Sequence, residues 1–362
     1  MAPTPRSGIL DIAPYVGGQG HLDGVERVAR LASNENPLGP SPDAAKTYTE
    51  LAADLHRYPD GGSVALRRAL AETHNLNAER IVCGAGSDEL IALLVRAYAG
   101  PGDEVLYSRH GFLMYPIAAT TAGATAVAAP ETELTTDVDA LLARVSERTK
   151  LVFLANPNNP TGTYLSGESL ARLHAGLPED VLLVIDAAYA EYTQASDYAD
   201  GAALVEAHDN VVMTRTFSKV HGLAALRLGW AYGSPAVVDV LNRLRGPFNV
   251  SAAAQVAGVA AVRDREHVRR SVEHNTRWRD WFRQQAAQAG ITALPSEANF
   301  ILLSLDSAET AQALEAHFKQ HGVLARQMAK YGLPAHLRVS IGTGDDMRQA
   351  AGALTAFTEP AA

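Results

Sequence analysis

Residues 211–230 read VVMTRTFSKVHGLAALRLGW: an apolar run, hydroxyl side chains, a lysine, a glycine turn and a second apolar run. This pattern predicts a buried strand, a loop and a second strand, with the polar groups gathered in the loop. Lys219 lies at the mouth of this buried element. Loss of hydration there favours the neutral amine, which is the form that attacks a carbonyl. The chain's other lysines do not lie between two apolar runs of this kind.

Thr216, Ser218 and Arg227 flank this lysine, and their side chains are hydrogen-bond donors suited to a phosphate. An amine nucleophile beside a phosphate-binding cluster is the arrangement that pyridoxal 5′-phosphate (PLP) requires. For a lysine taken alone, the alternative is an exposed loop residue beside a structural arginine.

Short apolar runs alternate with helical stretches between residues 80 and 214. This alternation predicts an α/β fold with a mostly parallel sheet between layers of helices. Ligand-binding groups collect at the carboxyl ends of the strands in such sheets. The loop NPNNPTG, then Asp186 and Tyr189, then Lys219 each follow one of these runs, so we expect them to share one edge. GAGSDE, at 84–89, joins a strand to a helix whose first N–H groups would form an anion site.

The pattern changes after Ser234, where long helical segments, one at 251–289, precede several short strands. A chain of 362 residues exceeds the usual size of a single core. We therefore expect an N-terminal arm (1–35) packing with a small α+β domain (246–362), and a large domain (36–245) that holds the cofactor. Arg326 and Arg338 flank YGLPAH, and we expect them to converge on one cleft; surface ion pairs are the alternative.

Composition excludes several other classes of protein. The net charge is −9 and the arginines form no run, which argues against nucleic-acid binding. No apolar stretch approaches the ~20 residues of a membrane span, and none has the form of a signal peptide. The single cysteine, Cys83, fits a reducing cytoplasm. The histidines lack metal-ligand spacing, so no metal site is expected.

These motifs identify a family. The chain resembles the fold-type I PLP-dependent aminotransferases, specifically their histidinol-phosphate aminotransferase branch, from about residue 10 to about residue 347. The resemblance rests, in this order, on SNENPLGPSP, HRYPDG, GSDELI, NPNNPTG, IDAAYAEY, TFSKVHGLAALRLG, PFNVS and LRVSIGT. The chain departs from the usual pattern at Ala85, where asparagine is often found, and at Ala225, where glycine is frequent. Neither position carries the chemistry.

The resemblance implies how PLP is held. Lys219 would bind it covalently and would later act as the general base. Asp186 would pair with the pyridine nitrogen, and Tyr189 and Asn159 would donate hydrogen bonds to the phenolic oxygen. The remaining implied contacts are Phe112 against the ring and, at the phosphate, Thr216, Ser218, Arg227, the backbone N–H groups of Ser87 and Asp88, and Tyr58 from the second subunit of a homodimer.

The resemblance also implies the substrate contacts. Arg338 would clamp an α-carboxylate with two parallel hydrogen bonds. Arg326 and Tyr15 would hold the substrate phosphate, while Asn36 and Tyr15 would shape the entrance. Two nearby histidines, His110 and His221, have either a place in the pocket or a structural role.

The implied reaction is transamination of L-histidinol phosphate with 2-oxoglutarate. Three alternatives stay open from the sequence. The same residues suit an aromatic amino-acid aminotransferase, because apolar pockets discriminate between rings by only ~1–3 kcal/mol. The scaffold and the arginines also suit a PLP-dependent decarboxylase of an O-phospho amino acid. A non-catalytic binding protein is the third, although such a protein would not need Lys219.

Overall fold

A seven-stranded sheet forms the centre of the computed structural model, which describes residues 3–14, 17, 20–22 and 27–358. Its strands and those of the smaller sheets are β1 (Ala29–Arg30), β2 (Ile81–Gly84), β3 (Glu104–Ser108), β4 (Thr125–Ala129), β5 (Glu131–Thr132), β6 (Thr135–Thr136), β7 (Thr149–Ala155), β8 (Leu182–Asp186), β9 (Val211–Thr216), β10 (Gly229–Tyr232), β11 (Thr292–Ala293), β12 (Phe300–Ser304), β13 (Val323–Leu324), β14 (Arg326–Gln327) and β15 (His336–Ser340). The α-helices are α1 (Pro42–Glu50), α2 (Val64–His74), α3 (Ser87–Tyr98), α4 (Met114–Ala122), α5 (Val138–Leu142), α6 (Gly167–Ala175), α7 (Ala202–Ala207), α8 (Pro235–Leu244), α9 (Ala252–Arg263), α10 (Arg265–Gln288), α11 (Ala308–Gln320) and α12 (Gly344–Thr358).

The strand order of the large sheet is β2-β10-β9-β8-β7-β3-β4. Among these strands β10 runs antiparallel to both of its neighbours, and the other adjacent pairs are parallel. The predicted α/β fold with a mostly parallel sheet is therefore confirmed. Every residue of β8 and β9 is buried, as expected for central strands that are covered by helices on both faces.

The two faces of this sheet carry separate apolar cores. One core joins the sheet to α1, α2, α6 and α9, and the other joins it to α3, α4 and α8. Burial of both faces leaves the strand ends as the places where polar side chains can gather.

A second, four-stranded antiparallel sheet has the order β11-β12-β15-β14. Together with α10, α11 and α12 it encloses a core of its own. Arg326 on β14 lies directly opposite Arg338 on β15. β1 pairs in parallel with β13, which attaches the segment before the large domain to the small one.

The long helical segment expected at 251–289 is interrupted at Asp264. The Asp264 carboxylate accepts a hydrogen bond of 2.9 Å from the backbone N–H of His267 and so caps a new helix, α10. Ala254, Ala257 and Ala261 of α9 lie in the core of the large sheet. α9 therefore packs with the large domain, although it follows the expected boundary between residues 245 and 246, and the domain limits stay a prediction.

Cys83 lies on β2 with 4% of its surface exposed. Burial raises the pKa of its thiol to about 12. Because the thiolate is the reactive form, Cys83 is a packing residue rather than a nucleophile.

No helix in the described ranges has the length and apolar character that crossing a membrane requires. Within the same ranges, no group of three or more His, Cys, Asp or Glu side chains is arranged to hold a metal ion.

Candidate active site

A cavity of about 270 Å³ opens where the carboxyl ends of the central strands face the small domain. Side chains from both domains line it. Of the residues singled out from the sequence, those that line it are Ser87, Asp88, Phe112, Asn159, Asp186, Tyr189, Thr216, Ser218, Lys219, Arg227, Arg326 and Arg338.

The strand directions explain this convergence. β7, β8 and β9 are parallel, so the residues that follow each of them emerge at the same edge. Asp186 ends β8 and pairs in register with Thr214 on β9. Because β10 is antiparallel, its first residues lie at this edge too, and Arg227 lies two residues before it.

Asp186 is the buried anion of the site. The Tyr115 hydroxyl donates to its Oδ2 at 2.8 Å, and the Thr214 hydroxyl donates to its Oδ1 at 3.3 Å. Burial raises the pKa of Asp186 to about 6, and these hydrogen bonds only partly oppose that rise. A positive charge next to this carboxylate would favour its ionised form, so the position suits a protonated ring nitrogen.

The Lys219 amine lies in the cavity close to Tyr189. Its Nζ donates to the carbonyl oxygen of Ser33 at 3.5 Å and lies 5.7 Å from the centre of the Tyr189 ring. The amine and the Asp186 carboxylate line the same cavity, as a cofactor that uses both of them requires.

The other end of the cavity has the form of a phosphate cradle. The first residues of α3, Ser87 and Asp88, line it. Arg227 Nη1 donates to Ser218 Oγ at 3.3 Å, and Nη2 donates to Asp88 Oδ2 at 3.2 Å. A Cβ atom at Gly86 would lie 2.5 Å from Arg227 Nη2, so only glycine lets the guanidinium approach the helix N-terminus. A phosphate fits here, because backbone N–H groups, hydroxyls and a guanidinium surround it.

Arg338 lies between the two domains and is 4% exposed. Its Nη1 donates to Asn159 Oδ1, and its Nη2 donates to the carbonyl oxygen of Ala32 at 2.8 Å. Since the amide oxygen of Asn159 faces Arg338, the NH₂ group of that amide is directed away from it, as a donor to a ligand must be.

Arg326 and Arg338 form a directly opposed pair of like charges that lines the cavity. Two guanidinium groups at one cavity favour a substrate with negative charge, because guanidinium groups bind carboxylates and phosphates.

Asn36 and Tyr58 do not line this cavity, and for Tyr58 the expectation is the cavity of a second subunit. Asn36 does not line the cavity: its Nδ2 donates to the carbonyl oxygen of Val220 at 2.7 Å and to Ser271 Oγ at 3.0 Å. These buried bonds fix the side chain in a neighbouring groove that shares Glu35 and Ser218 with the cavity, and its expected part at the entrance stays a prediction. Tyr58 is 82% exposed and stacks on Phe248 at 4.8 Å, outside the cavity of its own chain. Tyr15 lies outside the described residues.

Both histidines have structural surroundings. His110 Nδ1 lies 2.6 Å from the carbonyl oxygen of Tyr331, and the ring is buried without lining the cavity. His221 Nε2 lies 4.0 Å from Glu191 Oε1. Burial lowers the pKa of His221 to about 4, so its ring is neutral at pH 7.

Behind the site, Arg215 forms a buried pair with Glu191 at 2.8 Å and also bonds Asp200 at 2.8 Å. Arg215 lies on β9 four residues before Lys219, and Glu191 follows Tyr189 by two. The pair therefore ties together the two loops that carry the amine and the phenol.

Sequence reasoning missed two polar contacts of the site. Asn34 donates from Nδ2 to the Tyr189 hydroxyl oxygen at 2.9 Å, and Tyr115 bonds Asp186. Tyr115 lies in the first turn of α4, three residues after Phe112, and this closeness to an expected site residue could have indicated it. Asn34 belongs to an irregular loop, where no periodicity shows which side chain faces inward.

Known proteins resemble this chain along nearly its whole length. The family model "Aminotransferase class I and II" matches residues 26–354. Histidinol-phosphate aminotransferase of Rhodospirillum centenum is 58% identical over 353 residues, which is 97% of this chain and 98% of that protein. Its counterpart in Paramagnetospirillum magneticum is 54% identical over 358 residues, which is 98% of this chain and 99% of that protein. The crystal structure of histidinol-phosphate aminotransferase from Sinorhizobium meliloti in complex with pyridoxal-5′-phosphate superposes with a TM-score of 0.88, at 29% identity and 92% coverage of each chain.

Proposed function

Because the chain belongs to the class I and II aminotransferase family, we propose that it is a histidinol-phosphate transaminase. It converts L-histidinol phosphate and 2-oxoglutarate to 3-(imidazol-4-yl)-2-oxopropyl phosphate and L-glutamate, a step of L-histidine biosynthesis. The observation that carries the proposal is the opposed pair Arg326 and Arg338, which faces the same cavity as Lys219 and Asp186. Relatives that are 50–58% identical bear this enzyme's name.

The cofactor is pyridoxal 5′-phosphate, as the family and the solved relative indicate. When bound, it supplies a carbonyl that captures the substrate amine and a ring that takes up the electron pair left by the Cα proton. Its phosphate suits the cradle of Thr216, Ser218, Arg227 and the first N–H groups of α3, and Phe112 offers an aromatic face.

The protein's own groups then perform three tasks. Lys219 takes the Cα proton with its neutral amine. Asp186 would keep a positive charge on the ring nitrogen of the bound cofactor. Tyr189 and Asn159 would donate hydrogen bonds to its phenolic oxygen, which would stabilise negative charge on that side of the ring.

Two arginines serve two kinds of anion in turn. Arg338 holds the carboxylate next to the amine of glutamate, and histidinol phosphate has no such group. Arg326, with Tyr15, holds the phosphate of histidinol phosphate and can also hold the distal carboxylate of glutamate. One pocket thus accepts both substrates of a ping-pong cycle.

The working enzyme is a homodimer in which Tyr58 reaches the phosphate of the neighbouring site. Tyr58, Phe248, Leu38 and Leu55 are large side chains that are 41–82% exposed on one chain, and a second copy would cover them. Sedimentation of the purified protein at the mass of two chains would support this assembly. We place the enzyme in the cytoplasm, because a chain with one cysteine forms no intrachain disulfide and suits a reducing compartment.

The test of function is a single half-reaction. The PLP-loaded protein is mixed with histidinol phosphate, with phenylalanine, or with buffer, and the visible band of the bound cofactor is followed. Histidinol phosphate is expected to convert it to the pyridoxamine form fastest. If phenylalanine converts it rapidly and histidinol phosphate does not, the protein is an aromatic amino-acid aminotransferase. Release of carbon dioxide without 2-oxoglutarate would instead identify a decarboxylase.

Replacing Arg326 by alanine is expected to raise KM for histidinol phosphate about 10- to 100-fold, because hydrogen bonds to charged groups contribute about 1.5–3 kcal/mol. KM for phenylalanine should change far less, since phenylalanine carries no phosphate. Steady-state kinetics with both amino donors measures this difference. Lys330→Ala is the matched control, because it removes a nearby cation that does not line the cavity. Equal effects of Arg326→Ala on both donors would contradict a role in phosphate binding.

A further inference from the structure

We propose that Asn34 is a positioning residue that, held by Ser340, directs the hydroxyl proton of Tyr189 toward the phenolic oxygen of the cofactor. The proposal rests on the transaminase function above and assigns a role to two residues outside the set expected from the sequence. It concerns a chain of three side chains, Ser340, Asn34 and Tyr189, that crosses from the small domain to the large one.

The three side chains of this hydrogen-bonded series are buried. Asn34 is 1% exposed and Ser340 is 2% exposed. Ser340 Oγ accepts from the backbone N–H of Asn34 at 2.8 Å and donates to Asn34 Oδ1 at 2.8 Å. Asn34 Nδ2 then donates to the Tyr189 hydroxyl oxygen at 2.9 Å. Asn34 has a φ of 55°, and Asn299 Nδ2 bonds its carbonyl oxygen at 2.9 Å, so the backbone is fixed as well.

The direction of each hydrogen bond decides the argument. If the Asn34 amide were turned over, its oxygen would face Tyr189 and its NH₂ would face Ser340. The buried Ser340 hydroxyl proton would then lose its acceptor, since no other acceptor for it is found within the described residues. A buried donor without a partner is costly. Ser340 therefore fixes the amide with its nitrogen toward Tyr189.

This orientation has two effects on Tyr189. Its oxygen receives a proton from Asn34, so its own proton cannot point at Asn34 and is directed to another side of the oxygen. Donation to the oxygen also favours negative charge on it, which makes the hydroxyl a stronger donor. Both effects strengthen the hydrogen bond that Tyr189 gives to a ligand.

The same strand arranges the second donor. Arg338 and Ser340 lie two residues apart on β15 and therefore on one face. Arg338 faces the oxygen of Asn159 and leaves that NH₂ group for the ligand, while Ser340 holds the oxygen of Asn34 and leaves its NH₂ group for Tyr189. The strand that carries Arg338 thus orients Asn159 directly and Tyr189 through Asn34.

The test is a pH titration of the visible band of bound PLP, without any amino donor. Hydrogen-bond donors to the phenolic oxygen stabilise the deprotonated form of bound PLP and so lower the pH at the midpoint of the titration. A weaker donor therefore moves this midpoint to higher pH. Asn34→Ala is expected to raise the midpoint by about 0.5–1 pH unit, the size of one lost hydrogen bond. Ser340→Ala should shift it in the same direction by less. The affinity of the cofactor-free protein for PLP should fall several-fold in both.

Two comparisons separate positioning from packing. Asn36→Ala removes a buried asparagine of the same loop whose bonds go to Val220 and Ser271, so it should lower stability and leave the midpoint in place. In a Tyr189→Phe background, Asn34→Ala should add no further shift, because the path through the hydroxyl is gone.

An unchanged midpoint in folded Asn34→Ala would overturn the proposal, and so would a shift that persists in full without the Tyr189 hydroxyl. Should Asn34→Ala fail to fold, Ser340→Ala decides, and an unchanged midpoint in that variant overturns the proposal. The titration contains no substrate, so a protein that fails with histidinol phosphate can still pass it, and the reverse holds equally.

Discussion

Alanine at position 219 is expected to lower kcat by about 10⁴-fold or more with either substrate, because the variant loses both the nucleophile and the general base. The protein should still bind PLP, since the phosphate cradle, Asp186 and Tyr189 are unchanged. Rapid-mixing kinetics of the half-reaction measures the loss, and equilibrium dialysis of PLP measures the retained binding.

Two controls sharpen the Lys219→Ala experiment. Lys46→Ala removes an exposed lysine, with 71% of the side chain in solvent, and should behave as the wild type. A small primary amine added to Lys219→Ala should restore part of the rate, because the cavity left by the side chain admits it. A variant that keeps more than a few per cent of the wild-type rate would show that another group moves the proton.

Replacing Asp186 by asparagine should lower kcat by about 10²- to 10⁴-fold and, in the cofactor-free protein, raise stability at pH 8. The pKa of Asp186 in the folded protein, about 6, exceeds its ordinary value of 3.8. The ionised carboxylate therefore lowers the free energy of unfolding. This loss grows between pH 3.8 and pH 6 and is constant above pH 6. Its full size is about 3 kcal/mol. A neutral amide removes it, so the gain should be present at pH 8 and vanish near pH 4.

Urea unfolding of the cofactor-free protein at several pH values measures this gain. Asp239→Asn is the matched control, because that carboxylate is exposed on α8 and bonds Arg243 within its own helix. A cofactor-free Asp186→Asn protein less stable than the wild type at pH 8 would contradict the expectation. A gain in stability together with a loss of kcat would show that the buried carboxylate costs stability and serves the reaction.

The polar residues at the carboxyl edge of the sheet were predictable, because their positions follow from the local pattern of apolar and polar residues. Apolar runs end at Ile185 and Met213, and the polar residues after them emerge together once the strands are parallel. That rule needs no knowledge of distant contacts, so it brought Asp186, Tyr189 and Lys219 to one place.

Contacts between distant parts of the chain were not predictable in this way. Asn34 and Asn36 are two residues apart in the same loop, and only contacts with Ser340 and Ser271, far along the chain, decide which of them faces the cavity. The alanines of α9 suit either core, so the sequence could not place this helix with the large domain. Asp264 did carry a signal, since an acidic residue before a helix is a common cap.

The buried Cys83 has a practical consequence. At neutral pH a polar thiol reagent would leave it intact, because the sulfur is enclosed and protonated. Leu10, by contrast, is 82% exposed in the N-terminal arm. A fluorophore attached to Leu10→Cys would therefore label one position without removal of the native cysteine, and its polarisation would follow the arm during turnover.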